Sequence, residues 1–282
     1  MSFLIILICC VIEHTHMNFA PLRKTNWILD WHRWLCSKLG LQRLLGAGAV
    51  LITIAVPVAA LAYVFASWWI DSYFLTLLGG ITVLMFCFGP EDTGYDIEQY
   101  IQAYRDPTDK YIPPNGDNFL RAVTAHAPDP DAPFLRAVAV VLNERIFAPA
   151  FWFVVLGPLG ALGYRMASAL ARNLAPGESQ RVVAQRLHQI LLWLPARFLA
   201  IALGLAGTLG PVLKLLRERD YGLTAGTILI GETALAALAD NSTKASDDDE
   251  HVRLINSMFA LVKRAFVVWL GVLALGAAAG IV

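Results

Sequence analysis

The sequence predicts an all-α fold: a polytopic helical membrane protein with about five transmembrane helices plus interfacial and cytoplasmic amphipathic helices. Composition is the first reason, because 57% of the 282 residues are hydrophobic and only 16% are charged. An ordinary soluble domain of this size is less apolar. The second reason is that several apolar runs are long enough to cross a bilayer. We expect residues 1–282 to form a single integral membrane domain.

The charge of the chain argues against nucleic acid as a partner. Lys plus Arg and Asp plus Glu each number 22, so the formal net charge is zero, and no basic block of five or more residues occurs. We therefore expect the lipid bilayer as a partner and predict no cofactor. The cysteines lie in or beside apolar segments without a C-x-x-C pair, which predicts buried thiols rather than metal ligands. They are Cys9, Cys10, Cys36 and Cys87.

Two segments precede the first clear span. Residues 1–12 are apolar, but as a helix they reach only about 18 Å, so whether they span the bilayer stays open. Between residues 27 and 44, Trp27, Trp31 and Trp34 recur at helical spacing among basic residues. This pattern is typical of an amphipathic helix at the membrane surface.

Five apolar runs are predicted to cross the membrane. The first two are separated by Asp71 and Ser72 and indicate a transmembrane hairpin. The polar and acidic residues 90–133 then predict a soluble loop that carries an amphipathic helix. Whether residues 222–239 enter the bilayer stays open. The predicted spans are residues 44–70, 73–89, 147–165, 187–213 and 265–282.

Charged residues flank the third predicted span. Glu144 and Arg145 precede it and Arg165 ends it. Pro149 predicts a bend between the surface part of the helix and its membrane part. The glycines of this run recur every third residue, which favours close approach of another helix. They are Gly157, Gly160 and Gly163.

Arg197 stands inside the predicted span 187–213, where a charge is costly. Pro195 lacks a backbone N–H and therefore frees the carbonyl of Leu191. An arginine at this depth needs a carboxylate, carbonyls, headgroups or water, and Trp193 could stack on it. A charge within the membrane is a candidate functional residue by default. A snorkelling or structurally paired arginine is the equally weighted alternative.

Three motifs carry a resemblance to a known family. They are FAPAFWFVVLGPLGALGYR at residues 147–165, WLPARF at 193–198 and FLIILICCVIEH at 3–14. Together they resemble the AmpE family, inner-membrane proteins linked to β-lactamase induction in Gram-negative bacteria. Relatives of that family are the CobD/CbiB-type membrane proteins of cobalamin biosynthesis.

Several polar residues of the cobalamin enzymes are replaced at the positions that match them. Their Glu-Asn pair would fall on Val140 and Val141, and a later Asn and Asp on Ser168 and Ala171. Glu144 takes the place of an aspartate. Since valine and alanine side chains neither bind metal nor form hydrogen bonds, the resemblance implies a retained scaffold and lost chemistry.

The resemblance favours a non-enzymatic signalling modulator, multi-pass in the bacterial inner membrane, that acts in β-lactamase induction and the response to cell-wall damage. Its partner would be a small-molecule ligand or another membrane protein. The alternatives are an ATP-dependent cobinamide or adenosylcobinamide-phosphate synthase and a transporter of a cell-wall fragment. No catalytic residue and no metal ligand is predicted. The predicted binding residues, which would line a polar site between helices, are Glu144, Arg145, Arg165 and Arg197.

Overall fold

The computed structural model describes most of the chain. All secondary structure within the described residues is helical, which confirms the predicted all-α class. Residues 90–130 of the predicted soluble loop 90–133 lie outside the described residues. The described ranges are residues 2–14, 25–38, 46–88, 131–175, 179–219, 221–223, 225–238 and 247–279.

The helices are numbered here in chain order. The predicted polar point at Asp71 and Ser72 does separate two helices, α3 and α4. The elements are α1 (Ser2–His14), α2 (Asn26–Lys38), α3 (Gly46–Asp71), α4 (Tyr73–Cys87), α5 (Asp131–Leu142), a π-helical turn (Asn143–Phe147), α6 (Ala148–Asn173), α7 (Ser179–Ala206), α8 (Leu209–Glu218), α9 (Gly226–Leu238) and α10 (Asp247–Ala278).

Within the described residues, four helices are long and apolar enough to cross a membrane, so the chain is a membrane protein. They overlap four of the five predicted spans. The remaining run forms α4, whose 15 residues reach about 22 Å, less than the hydrocarbon core of a bilayer. The four long apolar stretches are Ala47–Ser67, Val138–Asn173, Gln180–Ala206 and Arg253–Gly276.

The chain divides into two compact units. In the first, α4 packs against α1, α3 and α6, and α2 packs against α3 and α6. Many residues of α6 are buried, which makes this helix a large part of the core of the first unit. In the second unit, α9 packs against α5 and α8. The first unit comprises Met1–Pro90, Ala148–Leu192 and Gly276–Val282, and the second comprises Glu91–Phe147 and Trp193–Leu275.

Helix α6 is broken at Gly157, where φ is 65° and ψ is −157°. This backbone conformation is essentially restricted to glycine. Pro158 then begins the second helical segment, a position that suits its fixed φ and missing N–H. On the other side of the break, the backbone of Gly160 lies so close to the carbonyl oxygen of Trp152 that a Cβ would collide with it. This position therefore also requires glycine. The predicted single helix over residues 147–165 is therefore two segments.

The π-helical turn Asn143–Phe147 belongs to the second unit and ends two residues before Pro149. A proline has no N–H for the carbonyl four residues earlier, here that of Arg145, and its ring crowds that carbonyl. A wider turn relieves the crowding. The sequence predicts a bend at Pro149, and the structure has a π-helical turn beside this residue.

Candidate functional site

The four predicted binding residues lie on three elements. Glu144 and Arg145 are in the π-helical turn and Arg197 is in α7, all in the second unit, whereas Arg165 is in α6 in the first unit. Arg145 and Arg165 are 7% and 4% exposed. Glu144 and Arg197 are half-buried. Guanidinium groups at such depth persist only with polar or aromatic contacts.

Arg197 is held by two backbone carbonyls and one indole ring. Its Nη1 donates to the carbonyl oxygen of Trp193 at 3.2 Å, and its Nη2 donates to that of Tyr221 at 2.6 Å. The guanidinium carbon lies 3.9 Å from the centroid of the Trp193 ring. The predicted stacking on Trp193 is thus confirmed, and carbonyls are among the groups that offset the cost of this charge.

Tyr221 connects Arg197 to a carboxylate in the same unit. The Tyr221 hydroxyl donates to Oε2 of Glu232 on α9, and Nη1 of Arg219 donates to Oε1 of the same carboxylate. Burial, together with the hydrogen bond to Glu232, raises the pKa of Tyr221 to about 12. The hydrogen bond to Glu232 also raises the pKa of Arg219. Sequence reasoning placed Glu232 in an apolar helix of small residues and did not select it as a site residue.

Asn143 is a buried polar residue that sequence reasoning also did not select. Its side chain is 0% exposed, and within the described residues neither its Oδ1 nor its Nδ2 has a hydrogen-bond partner. An unsatisfied buried group of this kind costs roughly 1–3 kcal/mol. Asn143 opens the π-helical turn, and such turns are frequent at functional sites. The amide is therefore a candidate contact for a ligand.

Two contacts join α6 to α7 within the first unit. The indole Nε1 of Trp152 donates to the carbonyl oxygen of Leu191 at 3.0 Å. This is the carbonyl that Pro195 was predicted to free. The Tyr164 hydroxyl lies 3.2 Å from Nε2 of His188, and both side chains are buried. Arg165 follows Tyr164 directly, so its buried side chain lies on a helix that these two contacts hold against α7.

A further buried polar cluster joins α2, α3 and α7 in the first unit. The His32 ring is 2% exposed and contacts the Thr53 hydroxyl and the Gln180 amide. The sequence placed His32 only on a membrane-surface helix, because its partners are distant in the chain. Within the described residues, no group of three or more His, Cys, Asp or Glu is arranged to hold a metal ion.

A comparison with family models identifies the chain. The model described as "Regulatory signalling modulator protein AmpE" matches residues 22–280, nearly the whole sequence. The chain belongs to the AmpE family. This match confirms the resemblance to the family and covers the motifs at residues 147–165 and 193–198, whereas the motif at residues 3–14 lies outside the matched residues. No curated protein and no solved structure matches the chain. The relation of AmpE proteins to the CobD/CbiB proteins stays a prediction.

Proposed function

We propose that this AmpE-family membrane protein modulates β-lactamase induction in the bacterial inner membrane, in the response to β-lactams and cell-wall damage. The observation that carries the proposal is the match of a regulatory signalling modulator family to residues 22–280. The membrane-length helices are consistent with the proposed location. The proposed activity is recognition of a signal rather than catalysis.

Buried charged and polar side chains are the proposed means of recognition. Arg145 and Arg165 each present a buried guanidinium, which suits carboxylate or phosphate groups. Glu144 and the Asn143 amide accompany Arg145 in the π-helical turn. Charged groups in apolar helices are costly, and a functional requirement explains why they are present.

Arg197 has a different proposed role in recognition. Arg197 donates hydrogen bonds to the carbonyl oxygens of Trp193 and Tyr221. We therefore assign it to positioning: by holding the backbone of Tyr221, it fixes the side chain that binds Glu232. A signal that changes the Glu232 carboxylate would then be transmitted to α7 through Tyr221.

The proposal is tested by removing the chain from a Gram-negative host with an inducible β-lactamase. Hydrolysis of a chromogenic cephalosporin is measured with and without a β-lactam inducer. We expect the ratio of induced to basal activity to change when the chain is absent and to return when it is supplied from a plasmid. Equal ratios with and without the chain would contradict the proposal. Rescue of cobalamin synthesis in a strain lacking its synthase would point to the enzymatic alternative.

A further inference from the structure

A histidine and a cysteine in the first unit have the arrangement of a base and a nucleophile. His32 and Cys36 lie four residues apart on α2, so they share one face of the helix. The Cys36 Sγ is 3.7 Å from Nε2 of His32. Gln180 on α7 contacts both groups: its Oε1 lies 2.9 Å from His32 Nε2 and its Nε2 lies 3.8 Å from Cys36 Sγ.

Thr53 holds the Nδ1 side of the His32 ring. The Thr53 hydroxyl oxygen lies 2.7 Å from the carbonyl oxygen of Ala49 and 2.8 Å from Nδ1 of His32. Its one hydrogen goes to one of these two acceptors. When it goes to Ala49, the Thr53 oxygen accepts from Nδ1, and Nε2 of His32 presents a lone pair toward Cys36 and Gln180.

The Gln180 amide fits the form in which Nε2 of His32 carries the proton of Cys36. A lone pair on Nε2 of His32 would face the acceptor Oε1 of Gln180 at 2.9 Å, which is repulsive. If Nε2 takes the proton of Cys36, it donates to Oε1, and Nε2 of Gln180 donates to the thiolate sulfur. The resulting pair is neutral overall, so its burial avoids the cost of an isolated charge. A neutral thiol fits the same contacts when Thr53 donates to Nδ1 and Nε2 carries the ring's own hydrogen. The pH dependence of labelling separates the two forms.

We propose that Cys36 is a reactive thiol, a modification site that forms a mixed disulfide with small disulfides. Cys36 is the nucleophile and His32 the base, while Thr53 orients the base and the Gln180 amide stabilises the thiolate. His32 Nε2 takes the thiol proton, and the thiolate attacks one sulfur of the disulfide. The bond between the two sulfurs of that molecule breaks, and its electron pair leaves with the second sulfur, which takes the proton from His32. Cys36 is 6% exposed, so only small reagents fit.

Two of the other three cysteines, Cys9 and Cys87, are buried like Cys36 and provide comparisons within the same protein. Cys9 donates to the carbonyl oxygen of Ile81 at 3.8 Å, and Cys87 is 0% exposed. A thiol that donates to a carbonyl is held in its protonated form, which is the less nucleophilic one. We expect Cys36 to react well before Cys9 and Cys87.

The test uses the full-length protein in detergent with methyl methanethiosulfonate as the probe. The thiolate forms a disulfide with the methylthio group and methanesulfinate leaves, so labelled peptides identify the cysteine by mass spectrometry. We expect the labelling rate of Cys36 to change by less than about twofold between pH 6 and pH 8, whereas a lone thiol gains about tenfold per pH unit. The label should leave on addition of dithiothreitol. A rate that rises about tenfold per unit, or labelling only after denaturation, would overturn the proposal.

Variants separate the base from general packing. His32→Gln should slow labelling of Cys36 at pH 7 by about tenfold or more and restore the steep pH dependence of a lone thiol. Thr53→Val should slow it less, because the ring loses its orienting acceptor but keeps Nε2. The matched control is His188→Gln, which alters a buried ring that lies against Tyr164 and should leave the rate unchanged. Equal rates in wild type and His32→Gln would refute the assignment. The wild-type pH profile decides the matter even if a variant does not fold.

Discussion

Arg197 binds the backbone of Tyr221: its Nη2 donates to the Tyr221 carbonyl oxygen at 2.6 Å while its guanidinium lies against the Trp193 ring. A charged side chain of α7 thereby fixes the segment that follows α8. Hydrogen bonds from a cation are stronger than neutral ones, and stacking on an indole adds to them. These contacts offset the cost of placing an arginine in an apolar helix.

Replacement of Arg197 should destabilise the second unit. Arg197→Ala removes both carbonyl contacts and the stacking, so we expect the free energy of unfolding to fall by about 3–5 kcal/mol. Arg197→Lys keeps the charge but loses the planar group and one hydrogen bond, so the loss should be about half as large. Thermal unfolding in detergent measures both. An unchanged melting temperature in Arg197→Ala would show that these contacts are not stabilising.

The raised pKa of Tyr221, about 12 against an ordinary 10.0, predicts how stability depends on pH. The unfolded chain loses this proton near pH 10, whereas the folded chain keeps it until about pH 12. Between these values the unfolded state binds fewer protons, so the free energy of unfolding falls as the pH rises. The contribution is fully present below pH 10.

Tyr221→Phe tests this dependence, because it removes the titrating hydroxyl. We expect the decline in stability between pH 10 and pH 12 to be smaller in Tyr221→Phe than in wild type. Identical pH profiles for wild type and Tyr221→Phe would mean that the hydroxyl does not titrate differently in the folded state.

Trp152 and Pro195 should show coupled effects on stability. Trp152→Phe removes the donor to the Leu191 carbonyl and should cost roughly 1–3 kcal/mol. Pro195→Ala supplies a backbone N–H four residues after Leu191, which can donate to the same carbonyl as in a regular helix. The double variant should therefore lose less stability than the sum of the single changes. Additive effects in a double-mutant cycle would exclude this coupling.

Asn143 should be less stabilising than an apolar residue of similar size. Its amide is buried without hydrogen bonds in the described part of the chain, so Asn143→Leu should raise the free energy of unfolding by roughly 1–3 kcal/mol. If the amide contacts the signal, the same change should impair β-lactamase induction. Thermal unfolding and the induction assay measure the two effects in one variant. A lower melting temperature would show that the amide has a structural role.

Local contacts of the site were predictable from the sequence, and distant ones were not. Trp193 lies four residues before Arg197 on one helix face, and Pro195 necessarily frees the carbonyl of Leu191. The indole that donates to the Leu191 carbonyl belongs to Trp152, 39 residues away from Leu191. The carbonyl that binds Arg197 belongs to Tyr221, 24 residues away from Arg197. Their positions depend on tertiary packing.

Of two other differences, the break in α6 has a local cause and the burial of His32 has a tertiary one. The spacing of the glycines in α6 favoured a helix contact, yet the adjacent Gly157 and Pro158 form a helix end followed by a helix start. His32 lies among tryptophans, and their spacing indicated a surface helix. The burial of His32 depends on its contacts with Thr53 and Gln180, which are distant in the sequence and could not be predicted from it.

Arg165 tests most directly the proposal that buried charges of this AmpE-family protein act in signalling. The measurement is the ratio of induced to basal β-lactamase activity in cells that make Arg165→Gln in wild-type amounts in the membrane. The control is Arg172→Gln, which alters an exposed arginine on the same helix. We predict that Arg165→Gln behaves as if the chain were absent and that Arg172→Gln behaves as wild type. A wild-type ratio in cells that make Arg165→Gln would contradict the account.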